Sequence, residues 1–363
     1  MVKLNFEIYV VFLELDKAAS SQRLGCIPED EVSVVLDCKN YCFNSDLDFT
    51  THHGSSHMKE VKPIQALLSQ SQGAVLAVIV SVDGASYRPV GAMMTILDNG
   101  ECVGSLSSGC VEADIVLHAQ ETWHEGKATV VRYGKGSKFL DIQLPCGGGL
   151  EIILIPNPDL NVLSQVNLLQ NNRERCTLEI DIENGAMALG SAGKTRLIGS
   201  KLNVEIVPEI SFFVFGKGPE ADVFITLVTA AGYPAILLSP DVETIERANR
   251  AGCMTKRLTS KSFPRDIGID ERSAIILFFH DHDWEPLLLF QALQTAAFYI
   301  GAQGSFQASK TRLSTLKTMG IAEQQLQRLH GPVGLIPSVK DPRTLAVSVM
   351  AEIVGKAISD LTL

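Results

Sequence analysis

The sequence predicts an α/β chain in which an α+β domain precedes a domain built on a parallel, helix-covered sheet. Two observations carry that expectation. After Pro208, short apolar segments alternate with helical ones, at 212–215, 221–231, 235–238, 242–251, 274–279, 286–297 and 298–300. Strands that alternate with helices at this spacing need crossover connections, and so a parallel sheet. Before that point one helix, 111–125, stands between strand-like segments at 93–97 and 150–155, which is the mixture of an α+β domain.

At 363 residues and 46% hydrophobic content the chain is long enough for two cores. The expected division is an extension over 1–57, an α+β domain over 58–205 and a parallel-sheet domain over 206–363. The extension reads unlike the rest. It carries Cys26, Cys38 and Cys42 and ends in the polar run Thr51 to His57, so it looks like a linker or an engineered junction.

From Met58 the elements follow in order. Ile64, Leu67 and Leu68 mark a short amphipathic helix. The run 74–80 is apolar, rich in β-branched residues and bounded by Gly73 and Gly84, which predicts a buried strand. Strands at 93–97 and 150–155 follow, the second closed by Pro156. The stretch 159–205 says least: a helix-like piece at 163–169 and weak strands at 177–182 and 194–198. No internal repeat stands out.

A formal net charge of −10 with no basic stripe argues against a nucleic acid or an acidic membrane as partner. No segment reaches the ~20 consecutive apolar residues of a membrane span, and 8–13 is too short and acid-flanked for a leader, so a cytoplasmic protein is expected. The eight cysteines contain no C-x2-C pair. Neither a disulfide framework nor a zinc knuckle is indicated, and several are expected to be plain core residues.

Five motifs could carry chemistry. Phe212 to Phe215 runs into Gly216-Lys217-Gly218-Pro219-Glu220-Ala221, a strand, glycine-rich turn and helix of the dinucleotide-binding kind. Gly216 suits the tight turn, Gly218 lets a phosphate approach the backbone, and the helix N-terminus favours an anion. Ser239 stands nearest the place where a ribose-binding acid belongs, and Asp241 comes late. The alternative reading is a doubly wound domain with an anion site and no redox role.

The loop Gly104-Ser105-Leu106-Ser107-Ser108-Gly109-Cys110 ends where a helix begins. A helix N-terminus stabilises a thiolate, so Cys110 is a candidate soft-metal or sulfur-handling ligand, against the plainer reading of a small buried residue. Pro145-Cys146-Gly147-Gly148-Gly149 sets a second cysteine beside a backbone open to a ligand. An ordinary turn with an incidental thiol explains that motif equally well. Together, thiolates suit a thiophilic metal and backbone N–H nests suit phosphate, the pairing that a phosphorylated, sulfur-rich metal cofactor needs. Arg88, in the turn 84–92, could clamp a phosphate, although loop arginines are usually just solvated. His280-Asp281-His282-Asp283 follows a strand end and could reach one metal through both histidines, but Asp283 capping the next helix is the favoured reading.

In this order the motifs resemble the XdhC/CoxI family, named for accessory proteins of xanthine dehydrogenase and carbon monoxide dehydrogenase. The matching segments are 84–92, 104–114, 145–148, 215–221, 280–283, then 299–305, Arg312-Leu313, 321–330, 331–335 and 344–353. The resemblance covers the chain from about Met58 onward and departs at Ser108, Pro219 and Ser239. It implies a C-terminal Rossmann-like domain after an XdhC/CoxI domain. It implies a homodimeric chaperone that binds the molybdenum cofactor (molybdopterin), shelters it while a cysteine desulfurase or sulfurtransferase supplies sulfur, and passes it to a molybdenum hydroxylase client. Under it Cys110 and Cys146 are the expected metal ligands, with Gly109, Gly147, Gly148, Arg88, Gly216 and Gly218 as further cofactor-binding positions. An oxidoreductase using NAD(P) at Gly216 and Gly218, or a scaffold that docks client and sulfurtransferase without holding cofactor, are the competing readings.

Overall fold

The computed structural model describes residues 62–69, 73–107, 109, 111–137, 147–191, 193–264, 266–280 and 283–361. All of them fall in one compact unit, Ser55–Leu363. The extension over 1–57 lies outside the described residues, as do Cys110, Cys146, Asp281 and His282.

Helix α1 (Pro63–Ser69) leads into an antiparallel sheet of β1 (Ala74–Asp83), β2 (Met93–Leu97), β3 (Cys102–Gly104), β4 (Thr129–Gly134) and β5 (Gly149–Pro156), ordered β3-β2-β1-β5-β4. Strand β1 is apolar at successive positions because both its faces are covered. Val75, Ala77 and Ile79 pack with Ile115 and Ala119 of helix α2 (Glu112–Glu125). Leu76, Val78 and Val80 pack instead with Leu67 and with Leu163 and Val166 of helix α3 (Leu160–Asn171). Period-2 alternation thus sends one strand into two cores. Asp159 caps α3 by accepting from the N–H groups of Asn161 at 2.9 Å and Val162 at 3.2 Å.

The stretch after α3 holds more strand than expected. Strands β6 (Cys176–Asp181), β7 (Met187–Gly190), β8 (Arg196–Ile198) and β9 (Lys201–Ile206) form an antiparallel sheet ordered β7-β6-β9-β8. The first and third answer the weak strands expected at 177–182 and 194–198. Strand β9 buries only every second residue, so its Leu202, Val204 and Ile206 never form the apolar run that marks β1.

The C-terminal sheet is parallel: β10 (Ser211–Gly216), helix α4 (Pro219–Ala230), β11 (Ala235–Ser239), helix α5 (Val242–Arg250), β12 (Met254–Arg257), β13 (Ser273–Phe278), helix α6 (Glu285–Ala292), β14 (Tyr299–Ala302), helices α7 (Phe306–Thr318) and α8 (Glu323–Leu326), β15 (Leu329–His330) and helix α9 (Pro342–Leu361). The strand order β12-β11-β10-β13-β14-β15 is that of a Rossmann fold, with the switch point between β10 and β13. Phe212, Val214, Ala274 and Ile276 face α4 and α9 on one side. Phe215, Ile275, Leu277 and Ile300 face α6 and α7 on the other.

Polar bridges tie this sheet to the elements before it. Arg173, just past α3, makes a two-pronged bond to Asp270 at 2.5 and 3.1 Å, and Arg175 reaches Glu271 at 2.9 Å.

One expected cap is corrected. Helix α6 starts at Glu285 with Trp284 in the cap position and no side-chain cap bond, while Asp283 turns to Lys261 at 3.7 Å. Pro286 tolerates the first turn because its missing N–H has no helical partner there.

Candidate functional site

The antiparallel register brings three of the sequence motifs to one place. Asp83 pairs with Gly149, Gly149 with Gly134, Val78 with Met93, and Met94 with Gly104. The loops 84–92, 105–111 and 135–148 therefore all leave the same end of the five-stranded sheet. Two tight approaches hold that end together. Gly148 leaves no room for a side chain, since a Cβ there would lie 2.3 Å from the carbonyl oxygen of Ala85 and 2.8 Å from that of Asp83. Its own carbonyl accepts from the N–H of Lys135 at 3.0 Å. Beneath the loops, Arg132 bridges Glu151 at 2.9 Å and Asp83 at 3.5 Å, and Ser81 donates to Glu151 at 2.6 Å.

Gly109 and Gly147 stand beside Cys110 and Cys146 in sequence. Both take left-handed backbone angles, with φ of +95° and +69°, and a Cβ on either would meet nothing within 4 Å. Glycine carries the left-handed angle at both positions without penalty, and no described atom outside its chain neighbours crowds either one. The two cysteines themselves lie outside the described residues. Arg88 is exposed, with its guanidinium within 3.4 Å of the carbonyl of Tyr87, and it makes no ion pair among the described residues.

Glu112, a residue the motif reading passed over, organises the first cysteine loop. Its carboxylate accepts from the Ser105 hydroxyl at 3.0 Å and from the N–H groups of Leu106 at 3.2 Å, Ser107 at 2.8 Å and Val111 at 3.2 Å, and closely from the Ser107 hydroxyl. Burial works against its charge, but the hydrogen bonds from Ser107, Ser105 and the backbone overcome it and hold the carboxyl at about 2. The donors expected to greet a phosphate here are therefore turned onto the protein's own carboxylate. With Asp114 also in the first turn, the positive end of α2 meets two acids. A glutamate at the first position of a helix after a Gly/Ser loop is the only sequence signal of this role.

The Rossmann turn has the expected shape. A Cβ on Gly216 would lie 2.5 Å from the carbonyl oxygen of Phe278, so glycine is required where β10 and β13 close together; Gly218 has φ of +82°. The N–H of Gly218 donates to the Thr244 hydroxyl at 2.9 Å, and that hydroxyl donates in turn to Asp241. Bonds from Thr244 hold the Asp241 carboxyl below its ordinary value. Ser239 is fully buried and accepts from the N–H of Asp241 at 3.2 Å. Across the switch point His280 Nε2 lies 3.1 Å from Glu220 Oε2. Among the described residues no group of three or more His, Cys, Asp or Glu side chains is placed to hold a metal ion. Of the described cysteines, Cys176 and Cys253 are buried, and burial pushes the half-buried Cys102 thiol up.

An antiparallel sheet whose loops converge at one end precedes a Rossmann sheet in the chain. Residues 67–134 match the XdhC and CoxI family and residues 212–353 match the XdhC Rossmann domain. The chain is 31% identical over 299 residues to the molybdenum cofactor insertion chaperone PaoD of Escherichia coli (strain K12), spanning 80% of this chain and 85% of the relative. It is 24% identical over 323 residues to a probable xanthine dehydrogenase subunit of Bacillus subtilis (strain 168), spanning 80% and 95%. A crystal structure described as a xanthine dehydrogenase from Bacillus halodurans superposes with a TM-score of 0.69 at 20% identity, over 82% of this chain and 95% of that one, and shows the shared fold. The chain belongs to the XdhC/CoxI family.

Proposed function

We propose that this protein is a molybdenum cofactor chaperone that holds the cofactor at the loop-bearing end of the five-stranded sheet and delivers it to a molybdenum hydroxylase. The convergence of the loops 84–92, 105–111 and 135–148 on one sheet end carries the reading. PaoD, the relative at 31% identity, is named for the insertion of this cofactor.

The residues fit such a group. Thiolates from Cys110 and Cys146 would supply soft donors to the metal. Gly109 and Gly147, where a Cβ would meet no described atom within 4 Å, add no side chain of their own next to them in sequence. Exposed Arg88 would meet a phosphate as a planar fork. When bound, the cofactor supplies the molybdenum centre of the client enzyme; this chain's part is to hold it, orient it and limit water around it. Glu112 fixes the course of the Cys110 loop, and Gly148 seats the Cys146 loop against Asp83 and Ala85. A sulfurtransferase that supplies sulfur, a second copy of this chain, and a division into 58–205 for the cofactor and 206–363 for the Rossmann part complete the proposal. Among the described residues no helix is long and apolar enough to cross a membrane.

The test is molybdenum content after anaerobic purification from a host that makes the cofactor. The unaltered chain is expected to retain molybdenum and the Cys110→Ala, Cys146→Ala double variant to lose most of it. Equal retention in both removes the cysteines from the site.

A further inference from the structure

The Rossmann order of the second sheet implies a dinucleotide at the turn from β10 into α4, its phosphates held by backbone N–H groups at the helix start. The residues present do not fit that group. The N–H of Lys217 donates to the carbonyl of Phe278 at 3.2 Å, the N–H of Gly218 donates to the Thr244 hydroxyl at 2.9 Å, and Pro219 has no N–H. Consecutive positions 217, 218 and 219 of the turn thus offer no backbone donor to a phosphate.

Charge opposes a phosphate as well. Glu220 and Asp222 both stand in the first turn of α4, at the positive end of the helix. A Cβ on Gly218 would lie 3.8 Å from Glu220 Oε2, so this carboxylate sits against the glycine that the fingerprint keeps bare for a phosphate. The Glu220 side chain is 14% exposed, and its Oε2 lies 3.1 Å from Nε2 of His280, which follows β13 across the switch point. Arg247 of α5 is bound to Asp222 at 3.2 Å and to Glu243 at 3.7 Å. Asp241, just past the end of β11, caps α5 by accepting from the N–H and the hydroxyl of Thr244. A ribose hydroxyl would have to compete with those bonds.

We infer that Thr244 and Glu220 close the Rossmann turn from within, Thr244 by taking the Gly218 donor and Glu220 by setting a like charge where a phosphate would rest. The Glu220–His280 contact then serves as a bridge between the two halves of the sheet at the switch point, and dinucleotides are kept out. Repulsion built against a ligand is an ordinary means of selectivity. The NAD(P)-dependent oxidoreductase reading falls with this inference. The chaperone reading does not enter it, since that reading concerns the other sheet.

Fluorescence titration of the full chain with NADH and with NADPH tests it. The unaltered chain is expected to bind neither up to about 1 mM. The double variant Glu220→Gln, Thr244→Val removes the charge and releases the Gly218 N–H, and should bind at least one of the two about tenfold or more tighter than that limit. Measurable binding of either dinucleotide by the unaltered chain below about 1 mM overturns the proposal. So does a double variant that melts as cooperatively as the unaltered chain and still binds neither. If the double variant does not fold, Glu220→Gln alone, which leaves Thr244 in place at the start of α5, carries the same comparison with a smaller gain, and no gain there overturns the proposal too.

Discussion

Replacing Glu112 by glutamine keeps the shape of the side chain and removes its charge, which isolates what the carboxylate does for the Cys110 loop. The folded-state value of about 2 lies well below the ordinary glutamate value of ~4.3. Taken whole, that gap corresponds to roughly 3 kcal/mol. The side chain is only partly buried, so solvent screening reduces the expected contribution to about 1–2 kcal/mol. The sign follows from the lowered value: the unfolded chain takes up the proton first on acidification. The stabilisation is therefore complete above about pH 5 and drains away as pH falls toward about 2. Urea unfolding at pH 7, 5 and 3 measures it. Glu112→Gln should be less stable than the unaltered chain by about 1–2 kcal/mol at pH 7, and the two curves should converge as pH approaches the folded value. A gap that stays constant from pH 7 to pH 3 would refute the argument, because the loss would then come from packing and not from a charged acceptor.

Two other substitutions test single contacts. Arg272 is 2% exposed and none of its three guanidinium nitrogens has a partner, so Arg272→Met should stabilise the fold by about 1–4 kcal/mol and raise the melting temperature in a calorimetric scan; a lower melting temperature would show that the charge is compensated through Asp270 and Glu271. Gly148→Ala forces a methyl onto the carbonyls of Asp83 and Ala85, and should cost about 1–3 kcal/mol and lower molybdenum retention with Cys110 and Cys146 intact; full retention would show that the seating of this loop does not matter to the cofactor.

The parts of the fold that the sequence makes legible are those whose burial is two-sided. Strands β1, β5, β10 and β13 face apolar neighbours on both sides, so their apolar residues run together and announce themselves. Strand β9 and the edge strand β4 bury alternate residues only, so Lys201 and Glu205, or Thr129 and Arg132, interleave with the apolar residues and no continuous apolar run marks the strand. The glycine motifs were legible as backbone chemistry, and Gly216 and Gly148 are indeed positions where another backbone comes too close for a side chain. What those motifs face was not legible. Glu112 lies inside the segment 104–114 that carries the family resemblance, yet its role depends on the loop curling back over the helix start, and no spacing rule foretells that. The cap expected at Asp283 failed for a related reason: a nearby Lys261, distant in sequence, offers the carboxylate a partner that local pattern does not reveal.

The two glycine-rich turns share a device that changes how the sequence motifs are to be understood. Each was expected to present N–H groups to a ligand's phosphate, and in each the chain supplies its own acceptor. Glu112 receives the N–H groups of Leu106, Ser107 and Val111, and Thr244, backed by Asp241, receives that of Gly218. Internal acceptors of this kind hold a turn in shape whether or not a ligand is present, which lowers the ordering cost of binding. They also mean that an anion must displace a protein acceptor to use those donors. At the sheet end, Gly109 and Gly147 are the described loop glycines where a Cβ would meet no described atom within 4 Å. With those donors already committed, the proposed cofactor site has to rely on soft donors such as Cys110 and Cys146 more than on backbone capture of phosphate.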